Sequence, residues 1–221
     1  MTTLRTRLSQ ALTAAALTAA GLTLATPATA TPAPRPPAVT HGPCQFTATP
    51  EDPAARPVPL PPDPRHTPDR GRVDVKLSTS QGPITVTLDL AKAPCTALSF
   101  LHLTLHRFYD ATTCHRLTAY PTLKVLQCGD PSGTGRGGSD RPNLKAEFSA
   151  EPHVRGACSM ARTNDPNSAN SQFFICFDDA TFLDRQYTVW GNVVEGMEHV
   201  DALPKGEPPR NPGKIVSMRA E

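Results

Sequence analysis

Three short segments of the chain carry the side chains whose types and spacing could do chemistry. They are Cys114-His115-Arg116, Val125 to Asp130 and Ser171 to Cys176, and they offer an arginine, an amide and several apolar groups. None of these segments holds a nucleophile beside its base or a set of metal ligands. Such a surface could bind and polarise a substrate without reacting with it covalently.

The strand around Gln172 decides how these groups are interpreted. Alternation along Gln172 to Phe177 places Phe173 and Ile175 on one side, as core residues, and Gln172 on the other side with Phe174 and Cys176. A polar group at one end of an aromatic floor is typical of a partly open pocket. Arg116 taken alone is more often a surface residue, but beside this pocket it becomes a candidate donor. Alternation places Arg116 on one face of its strand with Cys114, and His115 on the other.

Other patterns that resemble functional sites lack a required part. The glycine-rich run 129–138 has no Gly-Lys-Ser/Thr ending and precedes no helix pattern, so we interpret it as a flexible surface loop. His102 and His106 have metal-like spacing without a third ligand nearby. The sequence therefore predicts neither a metal site nor a cofactor.

The first seventy residues have the composition of export and linker segments. Arg5 and Arg7, an apolar stretch and Ala28-Thr29-Ala30 predict a signal peptide over 1–30 and a secreted, extracytoplasmic protein. The stretch is shorter than the ~20 apolar residues of a membrane span, so none is expected in the mature form. More than half of the chain's 25 prolines lie before residue 70, which predicts a disordered, proline-rich linker over 31–70. The remainder, 71–221, has the length of one domain.

Charge and cysteine content narrow the class further. A net charge of +2 with interspersed acids and bases does not favour nucleic acid. Six cysteines in an exported chain favour disulfides, and their pairing stays open among fifteen full connectivities. The bridge candidates lie near loops and strand ends, whereas two cysteines sit in apolar strand patterns as free core thiols. The former are Cys44, Cys95, Cys114 and Cys128, and the latter are Cys158 and Cys176.

Short apolar and period-two runs predict a mainly β domain. A hairpin is expected over 72–89, with its turn at Gln81-Gly82. A helix is expected over 94–107, with Leu98, Leu101, Leu105 and Phe108 on one apolar face. Further strands are expected at 113–118, 123–128, 154–162, 172–177, 187–194 and 215–218, and a second helix at 197–203. Many short strands with two helices indicate a closed, mostly antiparallel barrel.

Residues 72–221 resemble the cyclophilin-type peptidyl-prolyl cis–trans isomerases, most of all their exported actinobacterial branch. The resemblance follows ordered motifs along the domain, among them Tyr109-Asp110, His115-Arg116, Gln127 to Asp130, Ser159-Met160-Ala161, Ser171 to Ile175, Phe182-Leu183-Asp184 and Gly191 to Gly196. It implies an eight-stranded barrel capped by two α-helices, with the site on the outer wall. It also implies isomerisation of X-Pro bonds in extracytoplasmic folding, with proline-containing polypeptides as substrates.

The resemblance assigns roles to individual residues. Arg116 becomes the catalytic arginine and Gln172 the amide that holds substrate backbone. The remaining substrate-binding residues comprise the proline pocket, its neighbours and its rim: Val125, Phe174 and Leu183; His115, Gln127 and Ala161; Tyr187 and Phe182.

The sequence departs from the family pattern at two pocket positions. Lys124 stands where a pocket phenylalanine is expected, and Leu123 could take its place through a local shift. Phe182 replaces a rim tryptophan and removes an indole N–H donor, so cyclosporin binding is expected to be weak. These departures leave open the alternative of a non-catalytic module that binds proline peptides. A small-molecule carrier is disfavoured, because large apolar residues should fill a small barrel.

Overall fold

The structure is a computed structural model that describes residues 42–46, 48, 50, 54–118, 120–137, 143–204 and 212–221. The predicted signal peptide 1–30, and 31–41 of the predicted linker, lie outside these residues. Within the described part, no helix combines the length and apolar character that crossing a membrane requires.

Nine antiparallel strands of the described residues form one sheet, in the order β3-β9-β1-β2-β8-β6-β7-β5-β4. The strands β3 and β4 stand at the two ends of this order, yet only two residues separate them in the chain, so the sheet must curl. The strands are β1 Arg72–Thr79, β2 Gly82–Asp89, β3 Thr112–Thr113, β4 Arg116–Leu117, β5 Val125–Cys128, β6 Ala157–Met160, β7 Phe173–Cys176, β8 Val189–Glu195 and β9 Lys214–Ala220. The prediction of a mainly β domain with two helices is confirmed.

The predicted hairpin is confirmed, because β1 and β2 pair in register from Arg72 with Asp89 to Thr79 with Gly82. Its turn lies at Ser80-Gln81, one residue before the predicted Gln81-Gly82, because Gly82 already pairs with Thr79. Helix α1 spans Pro94–Leu105 and α2 spans Met197–Asp201. The Glu147 carboxylate accepts hydrogen bonds from backbone N–H groups in the first turn of α1, where such donors otherwise lack partners.

The buried face of α1 differs from the predicted one. Ala97, Phe100 and Leu103 are buried, whereas Leu105 is 73% exposed. Phe100 stacks near Trp190, with ring centroids 4.3 Å apart. The aromatic core therefore draws this face inward. Of the predicted face, Phe108 is buried and Leu101 packs against the core, whereas the placement of Leu105 is wrong.

One predicted strand is broken, which adds a strand to the expected eight. Positions 113–118 form the end of β3 and all of β4, which pair with β9 and β5 respectively. The break falls where pairing changes partner: the Cys114 N–H still donates to the Gly213 carbonyl next to β9 (2.8 Å), whereas Arg116 pairs with Gln127 of β5. Cys114 faces the core with Leu117, and its predicted placement on the Arg116 face is wrong.

The predicted division of the cysteines into disulfide-bonded and free residues is confirmed. Cys44 is bonded to Cys95 and Cys114 to Cys128, while Cys158 and Cys176 are free and buried. The two thiols belong to different apolar clusters, since Cys158 faces the interior with Phe173 and Cys176 lies beside Phe174.

Part of the stretch predicted as a linker lies against the domain. Besides the Cys44–Cys95 bond, Arg56 donates to the carbonyls of Phe108 (2.5 Å) and Asp110 (2.7 Å), just beyond α1. Val58 packs against the interior cluster. The ordered unit therefore includes residues before the predicted boundary at 71.

Candidate functional site

A cavity of about 330 Å³ opens on the outer face of the sheet, against β4, β5 and β7. A short 3₁₀ turn, Thr181–Leu183, forms one of its walls. Eight of the ten predicted site residues line it; Gln172 and His115 do not. The lining comprises Arg116, Leu123, Val125, Gln127, Ala161, Arg162, Phe174, Phe182, Leu183 and Tyr187.

Arg116 belongs to a chain of hydrogen-bonded side chains. Antiparallel pairing sets Arg116 opposite Gln127, and its Nη1 donates to Gln127 Oε1 across 3.5 Å. Gln127 Nε2 in turn donates to Gln172 Oε1 (2.9 Å). Gln172 Nε2 donates to the carbonyls of Gly135 (3.2 Å) and Gly137 (2.6 Å). The Gln172 amide thus has partners on both sides within the protein.

The cavity floor follows from strand alternation. Phe174 and Val125 lie in a buried cluster separate from the interior core, as alternation along β7 predicts. Tyr187 meets Phe174 edge to face, with ring centroids 5.5 Å apart. Leu123 lines the cavity, whereas Lys124 pairs with Asp178 (2.5 Å). Lys124 therefore does not place its charge in the pocket.

His153 lies behind this floor and was missed by the sequence analysis. Its side chain is 0% exposed, and its ring stacks on Phe174 with centroids 6.1 Å apart. Its Nδ1 lies 3.0 Å from Asp184 Oδ1, and its backbone N–H donates to the same oxygen. Burial lowers the pKa of His153, and Asp184 opposes that shift. No pattern in the sequence marked this histidine.

We expect stability to fall as pH drops below about 6.5, the ordinary pKa of a histidine in the unfolded chain. The folded state holds His153 neutral, so the unfolded state binds more protons in this range and gains on acidification. Thermal unfolding between pH 5 and pH 8 measures the effect. His153→Asn keeps an N–H near Asp184 without titrating and should make the profile shallower, with the remaining slope contributed by His115, whose pKa burial also lowers. Exposed His66→Asn is the control, and equal profiles for all three proteins would contradict the prediction.

Arg162 is a second residue that the sequence analysis missed. Its guanidinium lies 4.5 Å from the Tyr187 ring centroid, and its Nε donates to the Gln186 carbonyl (2.9 Å). It stands between the first cavity and a neighbouring polar cavity of about 590 Å³, which also borders Gln127 and Gln172. An arginine in a loop, without a periodic neighbour, gave no signal in the sequence.

Two predicted residues occupy less central places. His115 lines neither cavity and lies against Gly135, where a Cβ would approach its Cδ2 to 3.0 Å. Burial lowers the pKa of His115, and the attraction of Asp130 opposes that shift. Phe182 lies at the rim and is 49% exposed.

The described lining contains no activated nucleophile. Cys176, in the cluster under the cavity, is buried, and burial raises the pKa of its thiol to about 12. A neutral, enclosed thiol is a poor nucleophile. Within the described residues no group of three His, Cys, Asp or Glu is placed to hold a metal ion. The site therefore combines a cationic hydrogen-bond donor, Arg116, with an apolar floor formed by Val125 and Phe174.

The chain is similar to proteins of one family. The family described as cyclophilin type peptidyl-prolyl cis-trans isomerase/CLD matches residues 73–220. A probable peptidyl-prolyl cis-trans isomerase of Brucella abortus is 54% identical over 97 residues, covering 42% of this chain and 50% of that protein. A probable peptidyl-prolyl cis-trans isomerase B of Mycobacterium tuberculosis is 38% identical over 175 residues, covering 73% and 56%.

Solved structures show the same likeness. A Cryptosporidium parvum cyclophilin type isomerase, crystallised in the presence of the dipeptide Ala-Pro, gives a TM-score of 0.61 at 26% identity, covering 67% of this chain and 98% of that one. A cyclophilin of Hirschia baltica gives 0.59 at 26% identity, covering 66% and 73%. The chain spans about half the length of the first curated relatives it matches. Since the family match covers most of the described domain, the chain belongs to the cyclophilin-type peptidyl-prolyl cis-trans isomerase family.

Proposed function

We propose that this protein is a peptidyl-prolyl cis–trans isomerase that accelerates X-Pro bond rotation during extracytoplasmic protein folding. The observation that carries the proposal is Arg116 on the wall of an apolar cavity floored by Val125 and Phe174. Family membership supports the same activity.

The proposed mechanism uses the electronic change that accompanies bond rotation. Amide resonance gives the X-Pro bond a barrier of ~18–20 kcal/mol, and twisting the bond turns the prolyl nitrogen into a lone-pair acceptor. A guanidinium placed at that nitrogen stabilises the twisted state but not the planar one. This is differential binding of the transition state, and it needs neither an acid–base cycle nor a cofactor.

The apolar floor performs the second task, which is to hold the proline ring while the acyl side rotates. Phe174 and Leu183 are buried and belong to one cluster, so they form a fixed seat. Gln127 and Gln172 hold the wall beside Arg116 through their mutual hydrogen bond. Contact of Gln172 with substrate backbone remains part of the proposal and requires its amide to exchange an internal partner.

An isomerisation assay on an Ala-X-Pro-Phe peptide tests the function. Uncatalysed exchange takes about 10–100 s at 25 °C. We expect the protein to accelerate it, and lowering the barrier by roughly 7 kcal/mol corresponds to about 10⁵-fold. Exchange at the background rate over a range of protein concentrations would reject catalysis.

The second candidate is a non-catalytic module that holds proline-containing segments in the same cavity. The observation behind it is Phe182, an exposed rim aromatic without a hydrogen-bond donor. The side chain of Lys124 gives it no support, because that side chain pairs with Asp178. An NMR titration that detects peptide binding without faster cis–trans exchange would favour this candidate.

The extracytoplasmic location is also a proposal. Two disulfides among the described residues fit an oxidising compartment, because cytosolic proteins rarely keep such bonds. Mass spectrometry of protein recovered outside the cell, before and after reduction, would test cleavage near residue 30 and both bridges together.

We further propose that the curled sheet is a closed barrel. Its end strands β3 and β4 are separated by Cys114 and His115 alone, and the Cys114–Cys128 bond links this junction to β5. An isolated bridge pairs Thr113 with Asp130 across the same gap. An experimental structure with an open gap at this junction would contradict closure.

Cyclosporin binding should be weak and should increase in Phe182→Trp. The substitution adds an indole N–H at the cavity rim, and one hydrogen bond contributes about 0.5–1.5 kcal/mol, or roughly a 2- to 12-fold gain in affinity. Calorimetric titration measures the change. Phe182→Tyr, which restores a donor in a different place, is the control. Equal affinity of Phe182→Trp and the wild type would contradict the role assigned to this position.

A further inference from the structure

Asp130 is a fully buried carboxylate at the start of the glycine-rich loop. The sequence analysis interpreted this loop as flexible, but residues 131–137 turn around Asp130, which is 0% exposed. A buried carboxylate is unfavourable unless hydrogen bonds satisfy both of its oxygens. The glycine-rich loop must therefore supply those hydrogen bonds.

The loop surrounds the carboxylate with donors. Ser132 donates to Oδ1 through both its backbone N–H (2.7 Å) and its hydroxyl (2.7 Å). The N–H groups of Gly135 (2.6 Å) and Gly137 (3.2 Å) donate to Oδ2, which Thr134 Oγ1 also approaches at 3.5 Å. Burial by itself would raise the pKa of Asp130, but these hydrogen bonds outweigh it and hold that pKa below its usual value. Asp130 therefore stays ionised as the centre of the loop.

The glycines are needed for this geometry. A Cβ on Gly137 would stand 2.4 Å from Asp130 Oδ1, and Gly135 has a φ of +80°, in the left-handed region. The same two glycines, whose N–H groups bind the carboxylate, present the carbonyls of their following peptide bonds to Gln172, just before β7. Both of these carbonyls accept a hydrogen bond from Gln172 Nε2.

This arrangement connects Asp130 with the proposed catalytic arginine. Asp130 fixes Gly135 and Gly137, whose carbonyls hold Gln172; Gln172 accepts from Gln127, which accepts from Arg116. We infer that Asp130 is a positioning residue that sets the place of Arg116 through the loop carbonyls and the two glutamines. The inference rests on the proposed function, because it concerns how the isomerase site is held.

The direction of each hydrogen bond makes the charge of Asp130 necessary. Both carboxylate oxygens accept, whereas an asparagine would present an NH₂ group to one set of N–H donors. Those donors would lose their acceptor, and the Gly135 and Gly137 carbonyls would be free to turn away from Gln172. Charged hydrogen bonds are also stronger than the neutral ones that would replace them.

A double-mutant cycle tests the inference. The proteins are the wild type, Asp130→Asn, Gln172→Ala and the double variant, and kcat and KM are measured separately for the X-Pro peptide. We expect Asp130→Asn to reduce kcat/KM about tenfold, mainly in kcat, which lies within the coupling measured between hydrogen-bonded neighbours. In the Gln172→Ala background the same substitution should have almost no effect. Equal losses in both backgrounds would overturn the inference.

An NMR measurement and a control variant distinguish a failure of this inference from a failure of the proposed function. The side-chain amide NMR signals of Gln127 and Gln172 should shift in Asp130→Asn whether or not the protein is an isomerase. If the wild type is inactive but these signals shift, the proposed function fails and the hydrogen-bond chain stands; unmoved signals overturn the chain. Asp74→Asn, an exposed carboxylate in β1, is the matched control and should leave both activity and signals unchanged.

A milder variant covers the case in which Asp130→Asn does not fold. Ser132→Ala removes the hydroxyl donor to Asp130 Oδ1 and leaves the carboxylate in place. It should shift the same glutamine signals by less and lower kcat by less than tenfold, as a weakened version of the same effect. Full activity with unmoved glutamine signals in a folded Ser132→Ala protein would overturn the inference.

Discussion

Replacing Arg116 with alanine should reduce kcat/KM for X-Pro isomerisation by about 10²- to 10³-fold, the loss found when one preorganised donor to a transition state is removed. The guanidinium of Arg116 lines the cavity and donates to Gln127, whereas that of Arg162, also in the lining, donates to the Gln186 carbonyl. Its interaction strengthens as the prolyl nitrogen gains a lone pair, so the loss should fall on kcat. The measurement is peptide isomerisation over a range of substrate concentrations.

Two control variants define what Arg116 contributes. Arg116→Lys keeps the charge but loses the planar fork of donors, and should retain only part of the activity. Arg72→Ala removes an exposed arginine in β1, whose ion pair with Asp89 should contribute little, and should leave kcat unchanged. An Arg116→Ala protein that folds normally and isomerises at the wild-type rate would contradict the proposed mechanism. An increase in KM alone would instead assign Arg116 to ground-state binding.

The side chains whose direction strand alternation predicted lie in or directly before β7. Phe174 and Cys176 alternate with Phe173 and Ile175, and the structure separates these two pairs into different buried clusters. Gln172, predicted on the Phe174 side, hydrogen-bonds to Gln127 in the cavity wall. Side-chain direction in a strand has a fixed period of two, so the spacing alone assigns the faces. The same rule correctly predicted the β1–β2 hairpin, although its turn lies one residue earlier than predicted.

The parts that the sequence did not predict depend on contacts between distant segments. Asp130 binds the loop that follows it in the sequence. The role proposed for this loop depends on its hydrogen bond with Gln172, which lies 42 positions after Asp130. Arg162 acquires its place from Tyr187, and His153 from Asp184. None of these pairs shares a strand or a helix, so no period connects them. The break between β3 and β4 was hidden for the same reason, because it lies where pairing changes from β9 to β5, and neither partner strand adjoins it in the sequence.

Removal of the Cys44–Cys95 bond should have the largest effect on stability. The bond closes a loop with a sequence separation of 51, and loop-closure entropy for this length corresponds to about 4 kcal/mol in the free energy of unfolding. The double variant Cys44→Ala, Cys95→Ala avoids a stray thiol, and urea unfolding measures the loss. Activity should change little below the unfolding transition, because neither cysteine lines the cavity.

The Cys114–Cys128 bond is the matched comparison: its removal should cost less stability but more activity than removal of the Cys44–Cys95 bond. Its separation of 14 corresponds to about 3 kcal/mol, a smaller loss of stability. Its ends, however, flank the Arg116–Gln127 pair, since Cys114 precedes β4 and Cys128 ends β5. Cys114→Ala, Cys128→Ala should therefore lower kcat while the protein is still folded. Equal proportional losses of stability and activity in the two double variants would contradict both assignments. The Cys44–Cys95 bond would then affect the site as well as stability, and the Cys114–Cys128 bond would have no specific role in keeping Arg116 opposite Gln127.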